Sequence, residues 1–449
     1  MLSKKVKFLD PVLIFNQVSE LFGTIFLDSN MTHEHYARYS FIAINPIHLF
    51  CADNKISLES QLLIWQALFD NNKQPYDIKL PPFTGGLAGF ISYDLAHQIE
   101  FISNNKSHVV ADYNLGLYSQ VFAFDLYKKE CYIIVNPVAG YDLDYKKQFT
   151  DLCNIYNNAY ILQNIPQNIN NIELPSVNFK SNFDSEEYTV ATQKAINYIK
   201  EGDIFEVNLA QCFKATVAKN FPSAILYNKL RQINSAPFSA YLNFTPLVIM
   251  SASPERFISI REKHVETRPI KGTIKRSLDK TEDLQLTQNL KNSDKDHAEN
   301  IMIVDLMRND LSKICKPCSV TVSQLCEVES FTNIHHLVSV INGTLKDDAS
   351  IFDIIPACFP GGSITGAPKI RAMQIIDELE PDKRGVYCGS IGYFGFNSNV
   401  DLSITIRTLI KNNNNLRFYV GGAITLDSDP EKEYLETILK GQKITEVFI

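Results

Sequence analysis

Two kinds of hydrophobic pattern alternate along the chain. The runs "SQVFAFDLY" (119–127) and "YIIVNPV" (132–138) are β-branched and aromatic and end in turn residues, which predicts strands. "PPFTGGLAGFISYDL" (81–95) predicts a glycine-rich turn entering another strand, and "AYLNF", "LVIMSA", "SITIRTLI" and "LRFYVGGAITL" predict four more, between 240 and 426. A different period governs 184–202: Tyr188, Ala191, Ala195 and Ile199 recur at helical spacing behind the capping-box pair Asp184 and Glu187, and Gly202 closes the helix. Helices are also expected near 294–309, 366–378 and 430–444, the last with Asp429 as N-cap and Pro430 in the first helical position.

This periodicity lapses between Leu162 and Phe183, where asparagine, proline and serine dominate. The expected organisation is therefore a smaller strand-rich region over 1–165, a linker over 166–183 and a large mixed body over 184–449. No repeat of solenoid period is present. The fold class is α/β of the α+β type, with substantial antiparallel sheet.

Composition narrows the function. A chain of 449 residues, 45% hydrophobic and 21% charged, is that of a folded globular protein with a large core. Its net charge of −7 and lack of a long basic run argue against nucleic acid as a partner. No stretch is long enough to span a bilayer, and Asp10 and Pro11 break the N-terminal apolar run before it could serve as a signal sequence. Nine scattered cysteines read as reduced thiols of a cytoplasmic protein. Cys315 and Cys318 have metal-like spacing but no partner pair, and are expected to be buried and structural.

Three segments can carry chemistry. Glu299 lies on a helix beside apolar residues, and Glu433 and Glu436 share a helical face with Lys440 one turn beyond. Carboxylates on two helices can meet at one hard cation such as Mg²⁺, although, taken without further context, solvated helix surface is the plainer reading of them. "PGGSITGAPK" (360–369) lacks the Gly-Lys step of a nucleotide-binding P-loop, yet glycines opening a helix can present N–H groups to an anion. "RPIKGT" (268–273) sets one lysine, Lys271, between a rigid Pro-Ile pair and a glycine.

In this order, "SPERF", "TRPIKGT", "DKDHAEN", "IVDLMRND", "HHLVS", "PGGSITGAPK", "GSIGYF", "SITIRT" and "VGGAI" resemble the chorismate-utilising enzymes over about 185–445. "RYSFIAINP" and "PPFTGGLAGFISYDL" extend the likeness to the branch holding anthranilate synthase and aminodeoxychorismate synthase component I. Lys271 is similar to the aminodeoxychorismate form, since the anthranilate form has alanine there, and "PGGSITGAPK" agrees.

The resemblance implies large, roughly orthogonal packed sheets flanked by helices, with 184–449 as the chorismate-binding catalytic domain. It implies Lys271 as nucleophile and Glu255 as general acid for the departing hydroxyl, a role requiring a raised pKa. It implies Mg²⁺ held through Glu299, Glu433 and Glu436, with Gly421, Gly422 and Ala423 beside it. Tyr393 and Arg407 would bind the enolpyruvyl carboxylate, and Thr273, His336, Thr365 and Lys440 would complete the pocket. Ammonia would come from a separate glutamine amidotransferase subunit. Ser29, Tyr36, Arg38, Tyr39, Pro237, Phe238 and Ser239 fit a tryptophan site, whether for an effector or a structural ligand. The chain departs from the family at Glu206, commonly glutamine, and Cys212, commonly arginine; both are expected to affect packing or the partner surface and to leave the chemistry untouched.

Overall fold

The computed structural model describes residues 1–31, 36–52, 56–102, 106–108, 110–163, 174–331 and 334–448, so part of the expected linker, 166–173, lies outside the described residues. Strands assemble into two large antiparallel sheets. The first runs in the order Leu2–Val6, Glu130–Val135, Gln120–Asp125, Tyr39–Ile44, Ile25–Asp28, Phe238–Phe244, Leu247–Ser253, Thr408–Asn412, Asn415–Ile424, Glu206–Thr216 and Gly366–Ala367. The second runs from Ile270–Lys275 through Ile334–Thr344, His264–Thr267, Arg256–Arg261, Val400–Ile404, Ser390–Gly395 and Gly86–Ile91 to Tyr113–Tyr118 and His48–Cys51. Both sheets take strands from before and after the linker, so chain order does not separate them into layers.

Through its middle strands the first sheet is buried on both faces, which is why they read as nearly unbroken apolar runs, while its edge strand Leu2–Val6 is exposed. Phe41 and Ala43 enter the core between the sheets, with Leu87, Phe90 and Ile258 of the second. Their neighbours Ile42 and Ile44 enter another core, beneath the helices Pro11–Val18, Tyr145–Leu162 and Ser223–Ile233. A third cluster packs Tyr188 and Ala195 of the helix Ser185–Lys200 against Leu209 and Ile376. Burial of these faces, at about 25 cal/mol per Å² of apolar surface, is the main drive holding helix to sheet.

Both predicted helix starts are present: the Asp184 and Glu187 capping box forms in full, and Asp429 caps Pro430–Thr445 by accepting from the Glu431 and Lys432 amides. One strand prediction is corrected. "SITIRTLI" is two strands, because Arg407 takes φ 51° and transfers the chain from the second sheet, at Val400–Ile404, to the first, at Thr408–Asn412. All nine cysteines are free, and Cys318 is exposed where Cys315 is buried, so only the latter is a core residue. Among the described residues no helix is long and apolar enough to cross a membrane.

Candidate active site

Lys271 is aimed by a break in its strand. Ile270 pairs with Val338 and Thr273 with His336, so Lys271 and Gly272 together oppose the single residue Leu337. Such a β-bulge redirects a side chain out of the ladder, and Gly272 permits it at φ +79°. A Cβ at Gly272 would come within 2.9 Å of the Asp296 carboxyl carbon, so the glycine serves the packing of the helix Asp294–Ile314 onto this strand. Gly272→Ala is expected to cost about 2 kcal/mol, from the left-handed backbone alone, read as a lower urea midpoint. An unchanged midpoint would show that the bulge does not need glycine.

The bulge buries the Lys271 ammonium among carboxylates. Its Nζ lies 2.5 Å from Glu206 Oε1, and the two residues are 8% and 0% exposed. Burial pulls the Lys271 pKa down, but Glu206 and Glu299, with Glu255 behind them, push it up, and the carboxylates prevail. Glu206 therefore belongs to the site, and the expectation that this departure leaves the chemistry untouched is wrong. Cys212 keeps the expected distance from chemistry: it is buried, with its thiol pushed up to about 12 by burial, and so lines no partner surface.

Glu255, 5% exposed, accepts from the Ser363 hydroxyl at 2.7 Å and more weakly from the Ile270 amide at 3.4 Å. Burial pushes its pKa up to about 7, against the lowering effect of Ser363, Ile270 and Lys271. It does not pair with Arg256, which is held by Glu266 at 2.8 Å and Asp401 at 3.0 Å. The loop 360–369 positions this partner and is braced from both sides. Lys369 reaches Asp310 at 2.5 Å, and Gly366 pairs with Val207, where a Cβ would meet the Glu206 carbonyl oxygen at 2.1 Å. Sequence alone did not single out Ser363; its position in the family loop was the available signal.

Thr273 and His336 meet at 2.8 Å on the paired strands. Burial, then the Arg407 and His335 charges, lower the His336 pKa to about 3, so the ring is neutral. Arg407 is partly buried, and burial lowers its pKa; among the described residues no carboxylate pairs with it. A desolvated guanidinium beside a neutral histidine can receive an anion. Thr365 is buried, and its hydroxyl is spent on the Gly361 and Gly362 carbonyls of its own loop.

The acidic wall comes from two helices. Glu433 is 7% exposed, with its pKa raised by burial, and Ser428 donates to it at 2.8 Å. Glu299 is also shifted up by burial, and its Oε1 is buried without a hydrogen bond. Gly422 leaves the space that a side chain would fill: a Cβ there would lie 3.1 Å from Glu433 Oε2 and 3.8 Å from Glu436 Oε1. Glu436 is turned toward Lys440 at 2.7 Å, and Lys440 also donates to the Gly421 carbonyl at 2.9 Å; among the described residues no three acidic, histidine or cysteine side chains form a ready-made metal cluster. Hard oxygen donors, one of them unsatisfied, fit Mg²⁺ in kind. Ala423 stands in register with Asn208 on the neighbouring strand, and Gly421 with Ala210.

Tyr393 is elsewhere. It lines a separate cavity of about 320 Å³, with its ring 4.6 Å from Phe83 and 5.5 Å from Phe41. Neither Lys271 nor Arg407 lines that cavity, so the expected pairing of Tyr393 with Arg407 does not form. The apolar strand "GSIGYF" alternates faces, and Tyr393 falls on the side facing Phe41. Ser29, Tyr36, Arg38, Tyr39, Pro237, Phe238 and Ser239 all line the same cavity. Within it Ser29 donates to the Pro237 carbonyl at 2.8 Å, and Arg38 pairs with Asp125 at 2.6 Å.

The sequence profile of the chorismate binding enzyme family matches residues 24–446. Aminodeoxychorismate synthase component 1 of Escherichia coli strain K12 is 37% identical, over 96% of this chain and 94% of its own length. Anthranilate synthase component 1 of Aquifex aeolicus is 35% identical, over 82% of this chain and 76% of its own. Among solved structures, anthranilate synthase component I from Streptococcus pneumoniae superposes with a TM-score of 0.80 at 30% identity, covering 97% of each chain.

Proposed function

The chain belongs to the chorismate binding enzyme family, and from that premise we propose that it converts chorismate and ammonia to 4-amino-4-deoxychorismate, the precursor of p-aminobenzoate and folate. The observation that carries this reading is Lys271, buried within 2.5 Å of a carboxylate and close to the protonatable Glu255. The amine of Lys271 bonds to C2 of chorismate while Glu255 protonates the hydroxyl leaving C4. Ammonia then bonds to C4 and the lysine departs. Arg407, with neutral His336 and Thr273 beside it, receives a substrate carboxylate.

Glu299, Glu433 and Glu436 would hold Mg²⁺, which when bound neutralises the ring carboxylate. Glu299→Gln and Glu436→Gln should each raise the Mg²⁺ concentration for half-maximal activity by at least about 10-fold, since even indirect metal contacts are worth that much. An unchanged Mg²⁺ titration in both variants would remove them from the metal site. The 320 Å³ cavity is proposed to hold tryptophan, whose indole matches its aromatic lining and whose charged ends match its arginine and acidic side chains. Nine free cysteines support a reducing, cytoplasmic location.

The anthranilate reaction is the second reading, favoured by relatives of that name, but it has no use for a buried lysine. Mass spectrometry of the product formed from chorismate, Mg²⁺ and an ammonium salt decides between them. Aminodeoxychorismate is expected, with glutamine inert unless a separate amidotransferase is added. Anthranilate with pyruvate, or turnover of glutamine by the chain alone, would refute the reading.

A further inference from the structure

Lys271 and Glu206 form a buried ion pair. Glu206 is 0% exposed in the strand Glu206–Thr216, Lys271 is 8% exposed at its bulge, and their heavy atoms are 2.5 Å apart. The other two carboxylates near the amine, Glu299 and Glu255, act on it only through space, and Glu255 is already engaged by Ser363. Glu206 also has a buried second oxygen, Oε2, without a hydrogen-bond partner. Among the described residues the only polar side-chain atom hydrogen-bonded to this carboxyl is therefore the Lys271 nitrogen, on Oε1.

An ammonium has no lone pair and cannot attack carbon, and a proton leaving this buried nitrogen needs an acceptor within hydrogen-bond reach. We propose that Glu206 is that acceptor, a catalytic residue that takes the Lys271 proton when the amine attacks and returns it when the amine leaves. The inference rests on the reading of Lys271 as nucleophile.

The steps balance. An Nζ–H bond breaks and a Glu206 Oε1–H bond forms, leaving a neutral amine beside a neutral acid. The nitrogen lone pair bonds to C2, the two ring double bonds each shift by one position, and the C4–O bond breaks, its hydroxyl leaving as water with the Glu255 proton. Ammonia then bonds to C4, the double bonds shift back, and the C2–N bond breaks to release neutral Lys271. The new C4 ammonium returns a proton to Glu255, and Glu206 returns its own to Lys271. Glutamine, common at this position in the resembled family, has the length of glutamate but cannot accept the proton.

The test is a double-substitution cycle with ammonium salt as nitrogen source, circular dichroism confirming the fold of each variant. Glu206→Gln should lower kcat by about 10²-fold or more, the usual worth of a positioned base, with KM for chorismate and the Mg²⁺ requirement nearly unchanged. Glu206→Asp, which keeps the carboxylate, should recover part of the rate. Glu206→Gln combined with Lys271→Ala should lose no more than Lys271→Ala alone, because Glu206 acts only through the lysine. Wild-type kcat in Glu206→Gln, equal loss in Glu206→Asp and Glu206→Gln, or multiplying losses in the double variant would overturn the proposal. Full activity in Lys271→Ala would instead refute the nucleophile reading beneath it.

Discussion

Lys271→Ala should lose aminodeoxychorismate formation by at least about 10³-fold, the scale on which removal of an activated nucleophile is felt. Any residual reaction should come from direct attack of ammonia at C2, as in the anthranilate branch. From an ordinary lysine pKa near 10.4, a neutral amine at pH 7 costs roughly 4–5 kcal/mol, and the site does not remove that cost in its resting form. Desolvation or nearby cations would be needed to depress this pKa. The structure has desolvation but surrounds the amine with Glu206, Glu299 and Glu255, which together raise it. The resting lysine is thus a stored ammonium that becomes nucleophilic only when its proton moves. The substitution also leaves Glu206 buried without its counter-charge, which costs roughly 3–5 kcal/mol for a broken buried pair unless the carboxyl is protonated. A loss of stability is therefore expected beside the loss of rate, and Lys271→Ala with Glu206→Gln should regain much of the stability and none of the activity. A wild-type rate in Lys271→Ala would end the account.

Glu255→Gln should cost between about 10² and 10⁴ in kcat, the range of a positioned general acid. The wild-type pH profile carries the sign. The acid must be protonated to give its proton to the C4 hydroxyl, and burial places its pKa at about 7. The rate contribution is therefore present below about pH 7 and declines as the pH rises through it, whereas from the ordinary glutamate value of 4.5 it would be nearly gone by about pH 6. Glu255 and Lys271 feel one another, so the limb of kcat/KM belongs to the coupled site. Glu255→Gln should remove that falling limb as well as the rate. Retention of the limb in the variant would assign it to another group.

What could be read beforehand depended on how local the signal was. The helix starts at Asp184 and Asp429 are fixed within four residues, and both form as their patterns predict. Glycine after Lys271 inside a strand pattern was a legible sign of a bulge, although its close neighbour, Asp296, could not be named. The break in "SITIRTLI" was illegible, because its isoleucines and threonines favour a strand throughout and tertiary packing sets the backbone of Arg407. Tyr393 was misplaced for a related reason: a strand gives a side chain one of two faces, and the sequence does not say which cavity each face meets. Glu206 lies 65 positions before Lys271, and no period relates them. The one available sign was an acidic residue in the otherwise uncharged "FEVNLAQCF", where a buried charge demands a partner.

The covalent step is the central claim, and intact-protein mass spectrometry with a slowly processed chorismate analogue, followed by peptide mapping, tests it most directly. Borohydride would not trap the adduct, which is a secondary amine and no Schiff base. One added mass of the ring on the peptide containing Lys271, absent from Lys271→Ala, is the predicted result. An adduct mapped to any other residue would contradict it.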